Sequence, residues 1–285
     1  MSTNLSVVIL TFNEESNLNQ ALNSINDWAE KVFILDSGST DKTIEIAQGF
    51  GCTILINPFI NFAMQRNYAL KNFSITSEWT LFIDADEWVT EELKEEIKKV
   101  IASKPLENGF YIKRRLIWMG QWIRRGYYPS WQLRLFRSGF GRCEDRAVNE
   151  HFIVDGQLGR LCSDLVDENQ KSLHDWIAKH NDYSTREAAE LVNSRNAEGY
   201  SEIKVNFFGG QAQRRRWLRY HVWNKMPLLS RSFFYFFYRY FILLGFLDGK
   251  KAFLFHFMQA LWYPLLIDAK YLEILNKRSK QNLKL

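Results

Sequence analysis

Cysteine is scarce in this chain, and two familiar nucleotide-binding signatures are missing. The 285 residues include three cysteines, Cys52, Cys143 and Cys162, which are odd in number and widely spaced. This spacing excludes a disulfide framework and a metal-knuckle pattern, so we expect a reducing compartment. The chain also lacks the glycine-rich dinucleotide fingerprint and the Walker lysine loop, which argues against a dehydrogenase and a P-loop enzyme.

Long apolar runs and a basic leader are missing as well. The apolar stretches 233–244 and 252–267 would extend roughly 18 to 24 Å as helices, which is short of the ~30 Å hydrocarbon core of a bilayer. The residues before the first apolar run carry no lysine or arginine. We therefore expect neither a transmembrane helix nor a signal peptide, and a catalytic part that faces the cytosol.

Positive charge and aromatic side chains are abundant, and both concentrate after about residue 207. The net charge is +5, and 15% of the residues are aromatic. A basic chain suits nucleic acid, anionic lipid or a phosphorylated substrate as its partner. Aromatic helices flanked by basic residues are typical of monotopic attachment to an anionic membrane surface. A buried helical hairpin or a homo-oligomer interface is the alternative for these stretches.

Apolar runs alternate with helical spacing through the first hundred residues. Strands are predicted at 5–10, 32–35, 52–56 and 80–83, and a helix follows each of them. Ser39 or Thr40 is the expected N-cap of the second helix, and Thr90 that of the fourth. Two further strands, 110–115 and 132–137, follow without this alternation. The pattern predicts an α/β domain over residues 1–206, with a mixed, mostly parallel sheet, and a helical extension over 207–285.

The strand 80–83 ends in an acidic run, Asp84, Asp86 and Glu87. Carboxyl ends of parallel strands border the crevice where ligands bind. Three neighbouring carboxylates repel one another unless a positive charge lies between them, and Mg²⁺ or Mn²⁺ suits oxygen ligands that are shared with substrate phosphates. An acidic turn that merely faces water is the alternative. Other predicted strands end in polar residues that should lie along the same edge: Asn13, Glu14 and Asp36.

Taken together, these motifs resemble those of the family 2 glycosyltransferases, especially the bacterial members that extend lipopolysaccharide core or lipid-linked glycans. The resemblance covers roughly residues 5–165 and, more loosely, the basic aromatic tail. It implies the Rossmann-like GT-A fold, a nucleotide-sugar donor, most often a UDP sugar, and a Mg²⁺ or Mn²⁺ cofactor. It also implies inverting hexosyl transfer to a membrane-anchored glycolipid or lipid-linked saccharide, at the cytoplasmic face of the inner membrane.

The resemblance assigns roles at the donor site. The residues that it places around the donor are Thr11, Asn13, Glu14, Asp36 at the uracil edge, Arg66, Asp84 and Arg134. Asp86 is the implied metal ligand, and Asp84 is directed toward the ribose or the water around the metal. Relatives tend to carry a histidine after the strand 160–166. This chain has Asp167 there, which is the expected third ligand.

The implied general base lies in a later segment. Val148-Asn149-Glu150 resembles the family segment that supplies this base, so Glu150 is the expected base and Asp145 the runner-up. The alternative is that Glu150 only pairs with a nearby arginine.

Two other classes of function compete with a glycosyltransferase. A nucleotidyltransferase would need a glycine-rich basic loop after the first strand, whereas residues 11–16 are acidic. A non-enzymatic basic protein that binds membrane or nucleic acid would use the arginine cluster at 214–216. Nucleic-acid binding would leave the apolar stretches as unexplained exposed surface, so we expect no nucleic-acid partner.

Overall fold

The computed structural model describes residues 3–144, 150–194 and 205–282, and the chain forms two units. The first unit contains Met1–Trp122 and Tyr128–Lys171, and the second contains Ile123–Tyr127 and Ser172–Leu285. The chain therefore enters the second unit briefly at Ile123–Tyr127 before it returns to the first. The predicted division at residues 206 and 207 stays a prediction.

The first unit is built from strands β1 to β11 and helices α1 to α4. The strands are β1 (Thr3–Thr11), β2 (Ala29–Asp36), β3 (Thr53–Ile56), β4 (Trp79–Asp84), β5 (Glu87–Val89), β6 (Gly109–Trp118), β7 (Gln121–Trp122), β8 (Ser130–Arg137), β9 (Gly141–Cys143), β10 (Phe152–Val154) and β11 (Leu158–Glu168). The helices are α1 (Leu18–Asn23), α2 (Thr43–Gly49), α3 (Phe62–Asn72) and α4 (Glu91–Ala102).

The central sheet is mixed, as predicted. Its strand order is β3-β2-β1-β4-β8-β6-β11-β5, and β7 pairs with β6. The first four strands in this order run parallel, and so do β6 and β11, whereas β8 runs antiparallel to both of its neighbours. The carboxyl ends of β1, β2 and β4 therefore lie at one edge, next to the loops that follow them.

Alternating side chains of the central strands enter two cores, one on each face of the sheet. Val7 and Ile9 of β1 pack in one cluster with Trp79 and Leu81, while the intervening Val8 packs in the other. This alternation follows from the two-residue period of a strand. It explains why these strands read as continuous apolar runs, because both faces are buried.

The predicted N-cap of α4 is confirmed, whereas that of α2 is not. Thr90 caps α4, since its hydroxyl accepts a hydrogen bond from the N–H of Leu93 at 3.2 Å. The predicted N-cap of α2 is wrong, because the helix begins later, after Lys42. Ser39 and Thr40 instead bind the loop that follows β1.

The second unit is helical. Its α-helices are α5 (Leu173–Ser194), α6 (Gln211–His221), α7 (Ser230–Phe237), α8 (Gly249–His256) and α9 (Tyr263–Asn282). A π-helical segment, Tyr238–Ile242, continues α7, and a second one, Phe257–Trp262, joins α8 to α9. Ala188 of α5 packs against Ile267 and Tyr271 of α9. Among the described residues, no helix combines the length and the apolar character needed to cross a membrane.

A fully buried ion pair ties α7 to α9. The Nε of Arg231 lies 3.0 Å from each carboxylate oxygen of Asp268, and both side chains are almost entirely buried. The second oxygen of Asp268 also accepts a hydrogen bond from the N–H of Leu229 at 2.8 Å. Because every charge in this group has a partner, burial costs less than it would for an isolated ion.

Ile123–Tyr127 is held inside the second unit by hydrogen bonds to its backbone. One carboxylate oxygen of Asp248 accepts the N–H groups of Arg124 and Arg125, both at 2.7 Å. Arg239 donates from Nε to the carbonyl of Gly126 at 2.7 Å. His256 Nε2 lies 3.1 Å from the carbonyl of Arg125. These side chains satisfy the polar backbone of a segment that would otherwise be costly to bury.

Candidate active site

The loops after β1 and β2 are joined by the carboxylate of Asp36. Thr11 and Asp36 are register partners at the ends of their strands, and the Thr11 hydroxyl donates to Asp36 Oδ2 at 2.8 Å. The other donors are the N–H groups of Gly38 and Ser39, at 2.8 and 2.7 Å, and the Ser39 hydroxyl at 2.6 Å. Asp36 is fully buried beneath this loop. It therefore fixes the loop, and its contact with a uracil edge stays a prediction.

Asn13 and Glu14 attach the first loop to the second. Asn13 adopts a left-handed backbone conformation, with φ of 52°. Its side-chain oxygen accepts the N–H of Thr40 at 2.8 Å, and its own N–H donates to Ser39 Oγ at 2.7 Å. The N–H of Glu14 donates to the hydroxyl of Thr43 at 2.7 Å. The residues after β1 and β2 that were predicted to bind the nucleotide sugar are thus joined to one another by hydrogen bonds.

The acidic run at the end of β4 surrounds a buried arginine. Arg134 of β8 donates to Asp84 at 2.6 Å and to Glu87 at 2.8 Å. Glu87 is fully buried and also accepts the N–H of Asp84 at 2.9 Å. The positive charge that the sequence requires between these acids is therefore supplied, in part, by a side chain of the protein itself.

The environment moves the pKa values of Asp84 and Glu87 in opposite directions. Burial alone would raise the pKa of Asp84, but the charges of Arg134 and Arg66 hold it well below its usual range. Burial raises the pKa of Glu87, and Arg134 only partly offsets this rise. Asp84 is thus a fixed negative charge, with its side chain about one-third exposed (32%) at the edge.

Asp86 has different surroundings from its two neighbours. Its Oδ2 accepts a hydrogen bond from the amide of Asn169 at 3.0 Å, and its carbonyl accepts the N–H of Glu168 at 2.9 Å. Within residues 3–144, 150–194 and 205–282, no lysine or arginine forms an ion pair with Asp86. Asp86 is therefore the acid of this run whose charge is least compensated by the protein.

The segment after β11 lies against this acidic edge. Lys171 Nζ donates to Glu14 Oε1 at 2.7 Å, and Asn17 donates to Glu14 Oε2 at the same distance. Burial raises the pKa of Glu14, although these hydrogen bonds oppose the rise. Sequence reasoning missed both Asn169 and Lys171. It ended the strand at 166, whereas β11 continues to Glu168, so the following loop begins at Asn169.

Asp167, the predicted third ligand, lies within β11 and contacts a guanidinium. Arg114 of β6 is 3.2 Å from Asp167 and 3.8 Å from Glu87. In the described part of the chain, no three acidic, histidine or cysteine side chains come together as a ready metal site. Two carboxylates at a strand end still fit Mg²⁺ or Mn²⁺, because such ions often take one or two protein carboxylates, and water and substrate phosphate supply the remaining ligands.

Glu150 and Arg66 form a buried pair beside the same edge. Arg66 NH1 donates to the Glu150 carboxylate, and Arg66 NH2 lies 3.4 Å from Asp84. The guanidinium carbon of Arg66 is 5.6 Å from the ring centroids of both Phe62 and Phe152. The structure thus contains the arginine pairing that the sequence left as an alternative role for Glu150. Asp145, the runner-up base, lies outside the described residues.

Comparison with known proteins identifies the family. The model of glycosyl transferase family 2 matches residues 6–145. The lipopolysaccharide core biosynthesis glycosyltransferase LpsC of Rhizobium meliloti is 31% identical over 202 residues, which are 67% of this chain and 72% of LpsC. A glycosyltransferase of Rickettsia typhi is 28% identical over 200 residues, 66% of this chain and 68% of its own. The chain belongs to glycosyltransferase family 2.

A solved structure gives a further comparison. TarS of S. aureus, residues 1–349, aligns with 96% of this chain and 88% of its own length, with 16% identity and a TM-score of 0.48. The family membership and the mixed sheet confirm the predicted family, the α/β GT-A class and the glycosyltransferase activity. The nucleotidyltransferase and the non-enzymatic alternatives are therefore set aside.

Proposed function

We propose that the chain transfers a hexosyl group from a nucleotide sugar, a UDP sugar, to a glycolipid or lipid-linked saccharide of the cell envelope, with inversion at the anomeric carbon. The observation that carries this proposal is the joint edge of β1, β2 and β4, where the least compensated acid, Asp86, lies close to Asp84 and its two arginines. The likeness to LpsC supports an acceptor of the lipopolysaccharide type.

Asp86 and Asp84 are the residues that would hold Mg²⁺ or Mn²⁺ beside the donor diphosphate. Asp167 stays the proposed third ligand, and it would have to exchange Arg114 for the metal. When bound, the ion neutralises the negative charge of the leaving nucleoside diphosphate. Arg66 and Arg134 add fixed positive charge at the same edge, which stabilises the departing diphosphate without rearrangement.

Glu150 is the proposed general base. As the acceptor hydroxyl attacks the anomeric carbon, its proton passes to the Glu150 carboxylate, a new C–O bond forms, and the bond to the diphosphate oxygen breaks. Arg66 orients Glu150 by donating to it, and it also lies near Asp84 on the donor side. This pairing is compatible with catalysis, because a carboxylate that accepts a proton must be held in place, and Arg66 holds it by a hydrogen bond.

The proposed reaction is tested with the purified full chain, a panel of nucleotide sugars and Mn²⁺ or Mg²⁺. We expect slow donor hydrolysis and a rise in melting temperature that requires both the nucleotide and the metal. A panel that includes UDP, GDP and CMP sugars identifies the donor. If no nucleotide sugar changes the melting temperature and none is hydrolysed, the proposal fails.

The cellular location belongs to the same proposal. An acceptor anchored in lipid and a donor made in the cytosol would meet at the cytoplasmic face of the inner membrane. Fractionation of cells that express the tagged full chain tests this location, and recovery in the soluble fraction alone would contradict it.

A further inference from the structure

The second unit exposes a large apolar surface on consecutive turns of its helices. We call it the aromatic face. It comprises Phe233, Phe234, Phe237, Phe241, Ile242, Leu244, Phe246, Leu247 and Phe253, whose side chains are between 42% and 60% exposed. Isolated exposed apolar residues are ordinary, but a contiguous set of this kind marks an interaction surface.

Other side chains hold these helices together, so the aromatic face is not needed for packing within the unit. Arg231 and Ser232 on α7, Arg239 on the π-helical segment, and Ala252 and Phe255 on α8 are buried. The aromatic face is thus the outer side of helices that are already secured from within.

The rings of the aromatic face are arranged before any partner arrives. Phe237 and Phe241 have ring centroids 5.1 Å apart, and Tyr240 contacts Phe241 at 5.2 Å and Phe253 at 5.5 Å. Such contacts add to the stability of the aromatic side chains in their exposed positions. A surface that is ordered in advance loses little conformational freedom on binding.

The charge around the aromatic face is of one sign. Between residues 205 and 267 the acidic residues are limited to Asp248. This side chain is buried, with one carboxylate oxygen on the backbone N–H groups of Arg124 and Arg125 and the other on the Arg125 guanidinium. The same stretch contains nine basic residues, Arg214, Arg215, Arg216, Arg219, Lys225, Arg231, Arg239, Lys250 and Lys251. Arg216, Arg231 and Arg239 are buried, and Arg231 pairs with Asp268, so the other six supply the positive charge of this stretch. Lys250 and Lys251 are exposed on the first turn of α8, directly after the apolar turns.

We propose that the aromatic face docks onto an anionic lipid bilayer, with its apolar side chains among the acyl chains and the lysines of α8 at the headgroups. Apolar burial and attraction to anionic lipid both favour this partner. A second copy of the chain is the less suitable occupant, because pairing two such faces would bring basic residues of both copies together. The inference rests on the proposed location at the inner membrane and assigns it to a named surface, but it does not depend on the identity of the donor.

Vesicle flotation of the full chain tests the docking surface. We expect the wild type to float with vesicles of phosphatidylcholine and phosphatidylglycerol, less with phosphatidylcholine alone, and less again at high salt. The variant Phe234→Ser/Phe237→Ser/Ile242→Ser should bind at least about tenfold more weakly, because it removes apolar area from the bilayer contact. Flotation of this variant at the wild-type level overturns the proposal.

Matched controls separate the aromatic face from general hydrophobicity and from misfolding. Leu106→Ser and Ile60→Ser remove exposed apolar side chains of the first unit, which are 85% and 64% exposed, and should leave flotation unchanged. Lys250→Glu/Lys251→Glu keeps every apolar side chain and should weaken binding to the anionic vesicles only. This second variant keeps the proposal testable if the triple variant folds poorly.

Two further measurements make the outcome specific. The nucleotide-induced rise in melting temperature should be the same in the triple variant and the wild type, so that failure of docking and failure of the donor site are distinguished. Sedimentation without lipid measures self-association. If the triple substitution dissociates a dimer and leaves vesicle binding intact, the aromatic face is a contact between copies and the lipid proposal is wrong.

Discussion

Arg134 lies between two carboxylates that differ in exposure. Glu87 has no solvent access, whereas the Asp84 side chain is about one-third exposed (32%), and the same guanidinium nitrogen contacts both. The fully buried acid therefore depends on Arg134 for its nearest positive charge. The partly exposed acid remains at the edge where a ligand can reach it.

Removing Arg134 should therefore destabilise the first unit through Glu87. We expect Arg134→Ala to lower the free energy of unfolding by about 1 to 3 kcal/mol, because the Glu87 carboxyl, whose pKa burial already raises to about 8, loses its closest buried hydrogen-bond donor. Arg134→Ala/Glu87→Gln should recover a large part of this loss. Urea denaturation measures both effects. The control is Lys98→Ala, which removes a partly exposed ion pair with Glu95 and should lower the free energy of unfolding by about 0.5 kcal/mol. Equal stabilities of the single and double variants would contradict the argument.

The roles of Asp86 and Glu150 are separable by substitution. Asp86→Ala should abolish the metal-dependent part of nucleotide binding, because it removes the least compensated carboxylate of the acidic run. Glu150→Gln should leave nucleotide binding intact and lower turnover by about a hundredfold or more, since it removes the proton acceptor. Isothermal titration and steady-state kinetics measure the two effects. Near-normal turnover of Glu150→Gln would show that the base is another residue. The control is Glu92→Gln, which changes an exposed glutamate on α4.

At the scale of elements, the sequence predicted the strands better than the residues that join them. Strands such as β1 and β4 are buried on both faces, so their apolar runs are visible without knowledge of their neighbours. The predicted start of α2 was wrong because Ser39 and Thr40 form hydrogen bonds with the loop after β1. These contacts join residues that are distant in the sequence.

In the candidate site, too, the sequence predicted some residues and not the contacts between them. The acids at strand ends follow directly from the chain, and the structure brings Thr11, Asp36, Asp84 and Asp86 to one edge. Arg66 and Arg134 were expected at the donor site, but their pairing with Asp84 was not, because it depends on the register of the sheet. Asn169 was missed because it depends on the length of β11. Charge pairs between elements have no local signal in the sequence.

The N-cap of α4 is Thr90, as predicted from the sequence, and its contribution to stability can be measured. Thr90→Ala should lower the free energy of unfolding by about 1 kcal/mol, because the N–H of Leu93 loses its acceptor. Thr90→Ser retains the hydroxyl and should cost much less. Thermal unfolding of the two variants makes the comparison, and equal losses would mean that the methyl group, rather than the cap, matters at this position.

At the scale of the whole molecule, the helical unit is expected to be the acid-sensitive part. His256 is fully buried, and burial lowers its pKa from 6.5 to about 4, an effect that Arg239 reinforces and Asp248 opposes. The unfolded chain therefore binds a proton below pH 6.5 that the folded chain does not. The free energy of unfolding should therefore be unaffected by His256 above pH 6.5. It should fall as the pH drops from 6.5 toward 4, by up to about 3 kcal/mol for this residue.

Melting temperatures measured from pH 7.5 to pH 4 check this expectation. His256→Gln keeps a donor for the carbonyl of Arg125 but does not titrate, so its melting temperature should depend less on pH than that of the wild type. His180, whose pKa burial also lowers to about 4, should contribute a second, separable part of the slope. The exposed His174→Gln is the control. An unchanged slope in His256→Gln would show that the acid sensitivity lies elsewhere.

The short segment Ile123–Tyr127 has a consequence for the order in which the molecule is made. The side chains that hold its backbone, Arg239, Asp248 and His256, lie more than a hundred residues further along the chain. During synthesis the segment leaves the ribosome long before these partners exist, so the helical unit closes only when the chain is nearly complete. A fragment that starts at Ser172 lacks the segment, and one that ends before α7 leaves its N–H and carbonyl groups without their acceptors and donors. Neither cut yields a complete helical unit, because the unit is built from two separate stretches of the chain.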